Sequence, residues 1–196
     1  ALKRADDAIG IALDFYSKQG FVYLEAPWIA STAAIFLTKP AQALPTLVSS
    51  FSDHYLVGSA EQSFVDLMIQ SKIAPGKYMA ITPCFRDEVD DELHKKYFMK
   101  LELINYNNTA ANDGLGGCLE PGACWRMVTM AHTFFETLVS PNLIQTVATE
   151  IGTDINVNDI EVGSYGHRSF DHNNICHEWI YGTGLAEPRF SSAAKL

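Results

Sequence analysis

Apolar residues recur every three or four positions in three stretches of the chain, and this spacing predicts three helices. The first helix covers residues 2–19 and ends at Gly20, a residue type suited to the position just past a helix. The second runs from about residue 62 to 71, with Ser59 as its N-cap. The third covers residues 124–140.

Other stretches have the shorter period or the residue types of strands. Residues 21–26 are predicted to form a strand closed by Pro27, which cannot donate to a central ladder. Residues 54–57 predict a short strand, and 159–163 another. Residues 77–105 predict a long antiparallel hairpin, with one strand to about residue 86 and the other from 97 to 105.

The remaining segments are rich in small, polar or turn-forming residues. Residues 30–52 are predicted to be an irregular connection, 107–122 an Asn/Gly-rich loop, and 167–177 a polar loop rich in His and Asn. The chain shows no internal repeat and no linker. We therefore expect a single domain over residues 1–196, of α+β class, with a mainly antiparallel β-sheet flanked by helices.

Composition excludes several classes of protein. Apolar residues make up 47% of the 196 residues and charged residues 19%, as in globular domains. No apolar run is long enough to span a bilayer, and four cysteines in a chain of this size predict free thiols, so we expect a cytoplasmic domain with no membrane role. The 14 basic residues are outnumbered by 23 acidic ones. This balance argues against DNA binding and does not support strong binding to tRNA.

Three short segments, taken in order, resemble motifs 1, 2 and 3 of class II aminoacyl-tRNA synthetases. The first is the helix followed by Gly20, Phe21 and Pro27. The second is the hairpin with Phe85, Arg86, Glu88, His94, Phe98 and Glu102. The third is Gly182, Gly184, Leu185, Ala186 and Arg189. Together they cover nearly the whole chain, so the resemblance implies a class II synthetase-like catalytic domain without a separate anticodon-binding domain.

The resemblance implies an enzyme that uses ATP and Mg²⁺ to convert an amino acid into an aminoacyl-adenylate. Such a reaction needs positioning and charge neutralisation at the phosphates, which planar, permanently charged arginines supply well. Arg86 and Arg189 are therefore the expected catalytic groups, clamping the phosphates, with Phe98 stacking on adenine. The remaining expected ATP-binding residues are Glu88, His94 and Gly184.

The resemblance also implies sites for the metal and for the amino acid. Glu161, Ser164 and Glu102 carry the hard oxygen ligands that Mg²⁺ prefers. Glu61, with Ser59, lies where these enzymes recognise the substrate's amino group. The two further expected substrate contacts are Lys100 and Arg168. Strand alternation places Lys100 on the same face as Phe98, Glu102 and Ile104.

Several points leave alternatives open. Ala186 and Pro188 replace a glycine and a glutamate that many members carry in motif 3. Arg86, Asp87 and Glu88 also resemble ammonia-dependent asparagine synthetase, an amide ligase with this fold. A non-catalytic dimeric paralogue is the third alternative. In each case the resemblance implies a homodimer formed through the motif 1 helix and strand. The Cys and His residues match no standard zinc spacing.

Overall fold

The structure, a computed structural model, describes residues 5–38, 54–87, 95–110 and 119–195. The five α-helices are α1 (Ala5–Lys18), α2 (Thr32–Thr38), α3 (Ala60–Ile69), α4 (Ala123–Glu136) and α5 (Arg189–Ala194). A 3₁₀ turn spans Pro141–Leu143. The strands are β1 (Val22–Tyr23), β2 (Ile29–Ser31), β3 (His54–Leu56), β4 (Gly76–Phe85), β5 (Tyr97–Ala110), β6 (Ile144–Ala148), β7 (Thr153–Val157), β8 (Ile160–His172) and β9 (Ile175–Glu187).

Seven of these strands form one sheet in the order β1-β4-β5-β9-β8-β7-β6. Strand β1 pairs with β4 in parallel, and every other neighbouring pair in this sheet is antiparallel. Strands β2 and β3 form a separate two-stranded sheet. The expected α+β class, with a mainly antiparallel sheet and flanking helices, is confirmed. Within the described ranges no helix is both long enough and apolar enough to cross a bilayer.

Helices cover both faces of the large sheet and create two apolar cores. On one face α1, α4 and α5 pack through residues such as Tyr16 and Phe134 against Leu101 and Leu103 of β5. On the other face α3 packs against Ile104 and Tyr106 of the same strand. The alternation predicted for β5 is therefore present. It leaves the face that carries Phe98, Lys100 and Glu102 turned away from α1 and α4.

Two predicted helix ends are confirmed. Helix α1 ends at Lys18, and Gly20 has a φ of +85°, the left-handed conformation that glycine adopts at little cost. Helix α3 begins after Ser59, whose hydroxyl oxygen accepts a hydrogen bond from the Glu61 backbone N–H at 3.2 Å.

Two segments predicted to be irregular contain regular structure. Within 30–52, the strand β2 ends at Ser31 and α2 follows at once, because Ala34 and Ile35 are buried in the second core. Residues 39–53 lie outside the described part. Within 107–122, the first four residues continue β5, since Asn107 to Ala110 pair with β9. The strand predicted over 21–26 is shorter, with only Val22 and Tyr23 paired.

The polar segment 167–177 was wrongly predicted to be a loop. It belongs to the long hairpin of β8 and β9, which turns at Asn173 and Asn174 with φ of 51° and 60°. The next hairpin, β7–β8, turns at Asn158 and Asp159, also with positive φ. Two successive residues with positive φ form the turn that matches strand twist, and Asn and Asp tolerate it. Strands β6 and β7 were not predicted.

Candidate active site

A cavity opens between the residue that follows β4, the strands β5, β8 and β9, and the start of α5. Six residues expected to bind ATP, metal or substrate line it, namely Arg86, Phe98, Lys100, Glu161, Ser164 and Arg189. The two arginines expected to clamp phosphates thus face a single space, although they lie about a hundred residues apart in sequence. Glu88 and His94 lie outside the described residues.

The local structure explains how Arg86 reaches this cavity. It directly follows β4, and its backbone N–H bonds to the Lys96 carbonyl at 2.8 Å, which extends the β4–β5 ladder by one pair. Its side-chain Nε donates to the Gly58 carbonyl at 3.2 Å. One edge of the guanidinium group is thereby fixed to the segment before α3. Arg86 is also one of the residues that line the cavity.

The opposite wall is built by the start of α5. Arg189 is the first residue of that helix, and the next residue, Phe190, is fully buried against Phe135 with ring centroids 5.5 Å apart. Glu187 accepts hydrogen bonds from the Ser191 backbone N–H at 3.1 Å and from its hydroxyl at 2.9 Å, which caps the first turn. A buried anchor and a cap therefore hold Arg189 in place.

The charge of the cavity is opposite to that of the chain. Its described lining contains four basic side chains, Arg86, Lys95, Lys100 and Arg189, and one acidic side chain, Glu161. The whole sequence has a net charge of −9. Glu161 Oε1 lies 3.7 Å from Nη1 of Arg189. A partly enclosed space with clustered cations raises the local concentration of anions.

Glu102 does not line this cavity, which differs from its expected role as a metal ligand. Its side chain is buried, and Oε2 lies 2.8 Å from Nζ of Lys100. The same oxygen accepts a short hydrogen bond from the Ser59 hydroxyl. Glu102 therefore compensates the charge of Lys100 and connects the cavity to the start of α3.

For Mg²⁺, the two expected ligands that remain are Glu161 and Ser164. No group of three or more His, Cys, Asp or Glu side chains gathers into a metal site in the ranges that the structure describes. A half-exposed carboxylate and a hydroxyl fit a Mg²⁺ ion that takes its other ligands from nucleotide phosphates and water.

Glu61 is a buried carboxylate at the start of α3, next to the Ser59–Glu102 contact. Its Oε1 accepts a hydrogen bond from the Trp179 indole N–H at 2.8 Å and lies 3.6 Å from Nε of Arg168. Burial raises the pKa of Glu61 to about 7, while the positive charge of Arg168 acts to lower it. A carboxylate in such surroundings is a strong partner for a cation.

Arg168 contacts protein groups rather than open space. Its Nη1 donates to the carbonyls of Leu37, at 3.3 Å, and of Thr38 at the end of α2. Its guanidinium carbon lies 4.8 Å from the centroid of the Tyr181 ring. The structure thus places Arg168 beside Glu61, where it connects β8 to α2 and α3.

Gly184 was expected at the nucleotide, but it lies on the other face of the sheet. Its carbonyl accepts a hydrogen bond from the Tyr16 hydroxyl at 3.1 Å. A Cβ atom there would meet Leu101 Cδ2 at 2.1 Å and Tyr16 Cε2 at 3.0 Å. This glycine therefore allows α1 to approach β9 closely, and its place is in the core.

Sequence analysis missed four residues at or near the site. Lys95, Val162 and Thr183 line the cavity, and Trp179 contacts Glu61. Thr183 lies between the two glycines of the motif 3 segment, and strand alternation from Gly184 would have placed it on the opposite, cavity face. No local pattern identifies Trp179, because its partner lies 118 positions earlier in the sequence.

No family model and no curated protein matches this chain. Solved structures do. PylSc, a pyrrolysyl-tRNA synthetase from Desulfitobacterium hafniense, matches with a TM-score of 0.67 at 16% identity, over 93% of this chain and 64% of that one. The cytoplasmic serine–tRNA ligase of Naegleria fowleri, in complex with AMP, matches with a TM-score of 0.66 at 18% identity, over 95% and 47%.

A further structure, a pyrrolysyl-tRNA synthetase of Desulfitobacterium hafniense, gives a TM-score of 0.63 at 15% identity, over 91% of this chain and 66% of that one. The resemblance inferred from the three sequence motifs is confirmed at the level of the fold. The chain shares a type of fold with these synthetases and spans about half to two thirds of their length.

Proposed function

We propose that this class II synthetase-like core activates an amino acid with ATP, forming an aminoacyl-adenylate. The observation that carries the proposal is the cavity in which four basic side chains, including Arg86 and Arg189, face one space in an otherwise acidic chain. The reacting carboxylate and the triphosphate are both anions. Bringing them together is the main obstacle to the reaction, and clustered cations lower it.

In the proposed reaction a carboxylate oxygen attacks the α-phosphorus of ATP. The new P–O bond forms as the bond to the β-phosphate oxygen breaks, and pyrophosphate leaves with the bonding electron pair. A carboxylate is already ionised at neutral pH, so the step requires no general base. The protein contributes by aligning the two reactants and by neutralising the charge on the phosphate oxygens.

Each residue of the cavity has a separate role in this step. Arg86 holds the α-phosphate and the attacking carboxylate together. Arg189, from the opposite wall, binds the other phosphates, and Phe98 stacks on adenine. Glu88 and His94 complete the nucleotide site, as the motif 2 resemblance implies. The AMP in the Naegleria fowleri serine–tRNA ligase, a protein with the same type of fold, supports a nucleotide site here.

Mg²⁺ would be held by Glu161 and Ser164 together with phosphate oxygens. It supplies further charge neutralisation during the transfer. Glu161 also lies near Arg189, which positions that arginine for the phosphates.

The amino acid is recognised next to the cavity. Glu61 binds its ammonium group, with Ser59 and the Lys100–Glu102 pair between this carboxylate and the phosphate site. Ammonium and carboxylate form the strong, charge-assisted type of hydrogen bond. Arg168 holds Glu61 from the far side.

The acceptor of the acyl group is proposed to be tRNA, as in the tRNA synthetases that share the fold. With a net charge of −9, this core has little attraction of its own for a polyanion, so the tRNA contacts come from elsewhere in the assembly. We also propose a homodimer through the motif 1 segment. Exposed apolar residues support it, since Val22 and Tyr23 of the edge strand β1, and Trp28 a few residues later in the chain, are each about half exposed or more.

The deciding experiment is amino-acid-dependent ATP–pyrophosphate exchange, screened over all twenty amino acids with and without tRNA and ammonia. Exchange with one amino acid, or a small set, is the expected result. Ammonia-stimulated AMP formation with aspartate would instead indicate the amide ligase. If no amino acid supports exchange while ATP still binds, the proposal is wrong and the non-catalytic alternative holds.

A further inference from the structure

The indole of Trp179 makes a hydrogen bond that neither the sequence motifs nor the proposed reaction explains. We propose that Trp179 is a positioning residue, which fixes the orientation of Glu61 so that one carboxylate oxygen stays directed at the substrate's ammonium group. The inference rests on the proposed function for the identity of the ligand. The orientation of Glu61 itself rests on contacts within the protein.

The position and orientation of the Trp179 indole are fixed by its surroundings. Trp179 lies on β9, between Tyr106 of β5 and Arg168 of β8 in the sheet register, and is only 1% exposed. Phe170 packs against it edge to face, with ring centroids 5.7 Å apart. A buried ring on the central strands of a sheet has one accessible rotamer, so its N–H direction is set by the fold.

The two oxygens of Glu61 have different surroundings. Oε1 is 2.8 Å from the indole nitrogen of Trp179 and 3.6 Å from Nε of Arg168. Both contacts are thus made by Oε1, and Oε2 accepts no hydrogen bond from the residues that the structure describes. A buried carboxylate oxygen without a donor costs free energy unless a ligand or water supplies one. The arrangement therefore prepares one oxygen for an external donor.

The groups around Glu61 determine how easily its carboxyl group is ionised. Arg168 of β8 and Lys100 of β5 favour the ionised carboxylate, and Glu102 of β5 opposes it. Burial opposes it more strongly than any of these groups. The neutral N–H of Trp179 donates to the ionised form without adding a second cation that would repel the substrate's ammonium.

The kinetic test uses Trp179→Phe, with Trp125→Phe as the matched control, because Trp125 is 61% exposed on α4. With the amino acid that gives the highest exchange, we expect KM for that amino acid to rise about ten- to a hundredfold in Trp179→Phe, the loss typical of one hydrogen bond to a charged group. KM for ATP should change less than about twofold. The pH below which amino-acid binding weakens should also move upward, since ionised Glu61 has lost a donor.

An equal rise in both KM values would indicate general disruption of the site and overturn the proposal, as would no change in either. A second measurement needs no substrate and leaves Trp179 itself unchanged. The three indole N–H groups of the wild-type protein are followed by ¹H–¹⁵N NMR between pH 5.5 and 8.5, and assigned through Trp28→Phe and Trp125→Phe.

We expect the Trp179 indole resonance to titrate with a midpoint near the pKa of about 7 that burial gives Glu61. The other two indole resonances should not titrate in this range. In Glu61→Gln the titration of the Trp179 resonance should disappear. A Trp179 resonance that is independent of pH in the folded wild type would overturn the inference. If this titration is seen but no amino acid supports exchange, the positioning contact stands and the proposed function fails.

Discussion

The guanidinium group of Arg86 covers the ring of Phe98, with Cζ 5.0 Å from the ring centroid. This ring is the surface proposed for adenine, so the arginine proposed to hold the α-phosphate lies directly beside the proposed adenine site. A cation over an aromatic ring contributes about 0.5–2 kcal/mol. Bidentate contact with a phosphate is stronger, because both groups are charged. A phosphate is therefore a better partner for Arg86 than the ring is.

It follows that Arg86→Ala should nearly abolish amino-acid-dependent ATP–pyrophosphate exchange. Loss of one preorganised charged group at the reacting centre typically lowers the rate by a factor of about 10²–10³ or more. The control is Arg126→Ala, an exposed arginine on α4 whose partner is Glu120. Exchange in the control should equal that of the wild type. Undiminished exchange in Arg86→Ala would mean that the reaction occurs elsewhere or not as proposed.

The metal site gives a second prediction. Glu161→Gln keeps the size of the side chain but removes its charge, so we expect the Mg²⁺ concentration for half-maximal exchange to rise by at least about tenfold. Mn²⁺ binding in the presence of ATP, followed by electron paramagnetic resonance, should weaken in parallel. Glu120→Gln, at an exposed position just before α4, serves as the control. Equal metal dependence in all three proteins would remove Glu161 from the ligand set.

The raised pKa of Glu61 predicts how stability depends on pH. Between its ordinary value of 4.5 and about 7, the folded protein keeps this proton while the unfolded chain has lost it. The stabilisation is therefore complete below pH 4.5 and is lost as the pH rises through 7, a difference of about 3 kcal/mol. Glu61→Gln should lack this loss.

Urea unfolding at pH 5 and pH 8 measures the effect as the difference between wild type and Glu61→Gln, so that other titrating groups cancel. The glutamine keeps an oxygen that can accept the Trp179 hydrogen bond. Parallel changes of the free energy of unfolding in both proteins would show that Glu61 ionises near its ordinary pKa.

The sequence predicted the parts of the fold that depend on local patterns. The alternation along β5 placed Phe98 and Lys100 on one face without any knowledge of the partner strands, and the N-cap at Ser59 follows from residue type alone. The β8–β9 hairpin was missed although its turn signal was present. Asn173 and Asn174 form a two-residue turn, but the polar residues around them were interpreted as a loop.

Other features depend on distant contacts that no local pattern encodes. Gly184 belongs to the motif that predicted a nucleotide site, yet which face of β9 it occupies depends on Tyr16, 168 positions away. Glu102 was expected to bind metal from its place in the motif. In the structure its Oε2 instead lies 2.8 Å from the ammonium group of Lys100, two residues earlier on the same face, and no local pattern predicts this pairing.

The proposed homodimer is tested with two exposed tryptophans. Trp28 is 58% exposed near the motif 1 strand, and Trp125 is 61% exposed on α4. Trp28→Glu should convert a dimer to a monomer, because a charge at the centre of an apolar interface has no partner there. Trp125→Glu should leave the dimer intact. Sedimentation velocity at micromolar concentration distinguishes the two states, and a monomeric wild type would contradict the proposal.

Two glycine-to-alanine substitutions should change stability in opposite directions. At Gly184 the new methyl group would meet Leu101 Cδ2 at 2.1 Å and the Leu101 carbonyl oxygen at 3.3 Å. Leu101 is fully buried, so it cannot swing aside, and overpacking of this kind costs about 1–3 kcal/mol.

At Gly10, in the middle of α1, no atom lies within 4 Å of the added carbon. There alanine should stabilise the helix by about 0.5–1 kcal/mol. Urea unfolding of both variants at one pH measures the two effects. A Gly184→Ala protein as stable as the wild type would show that α1 and β9 are not in close contact, and the assignment of Gly184 to the core would then be wrong.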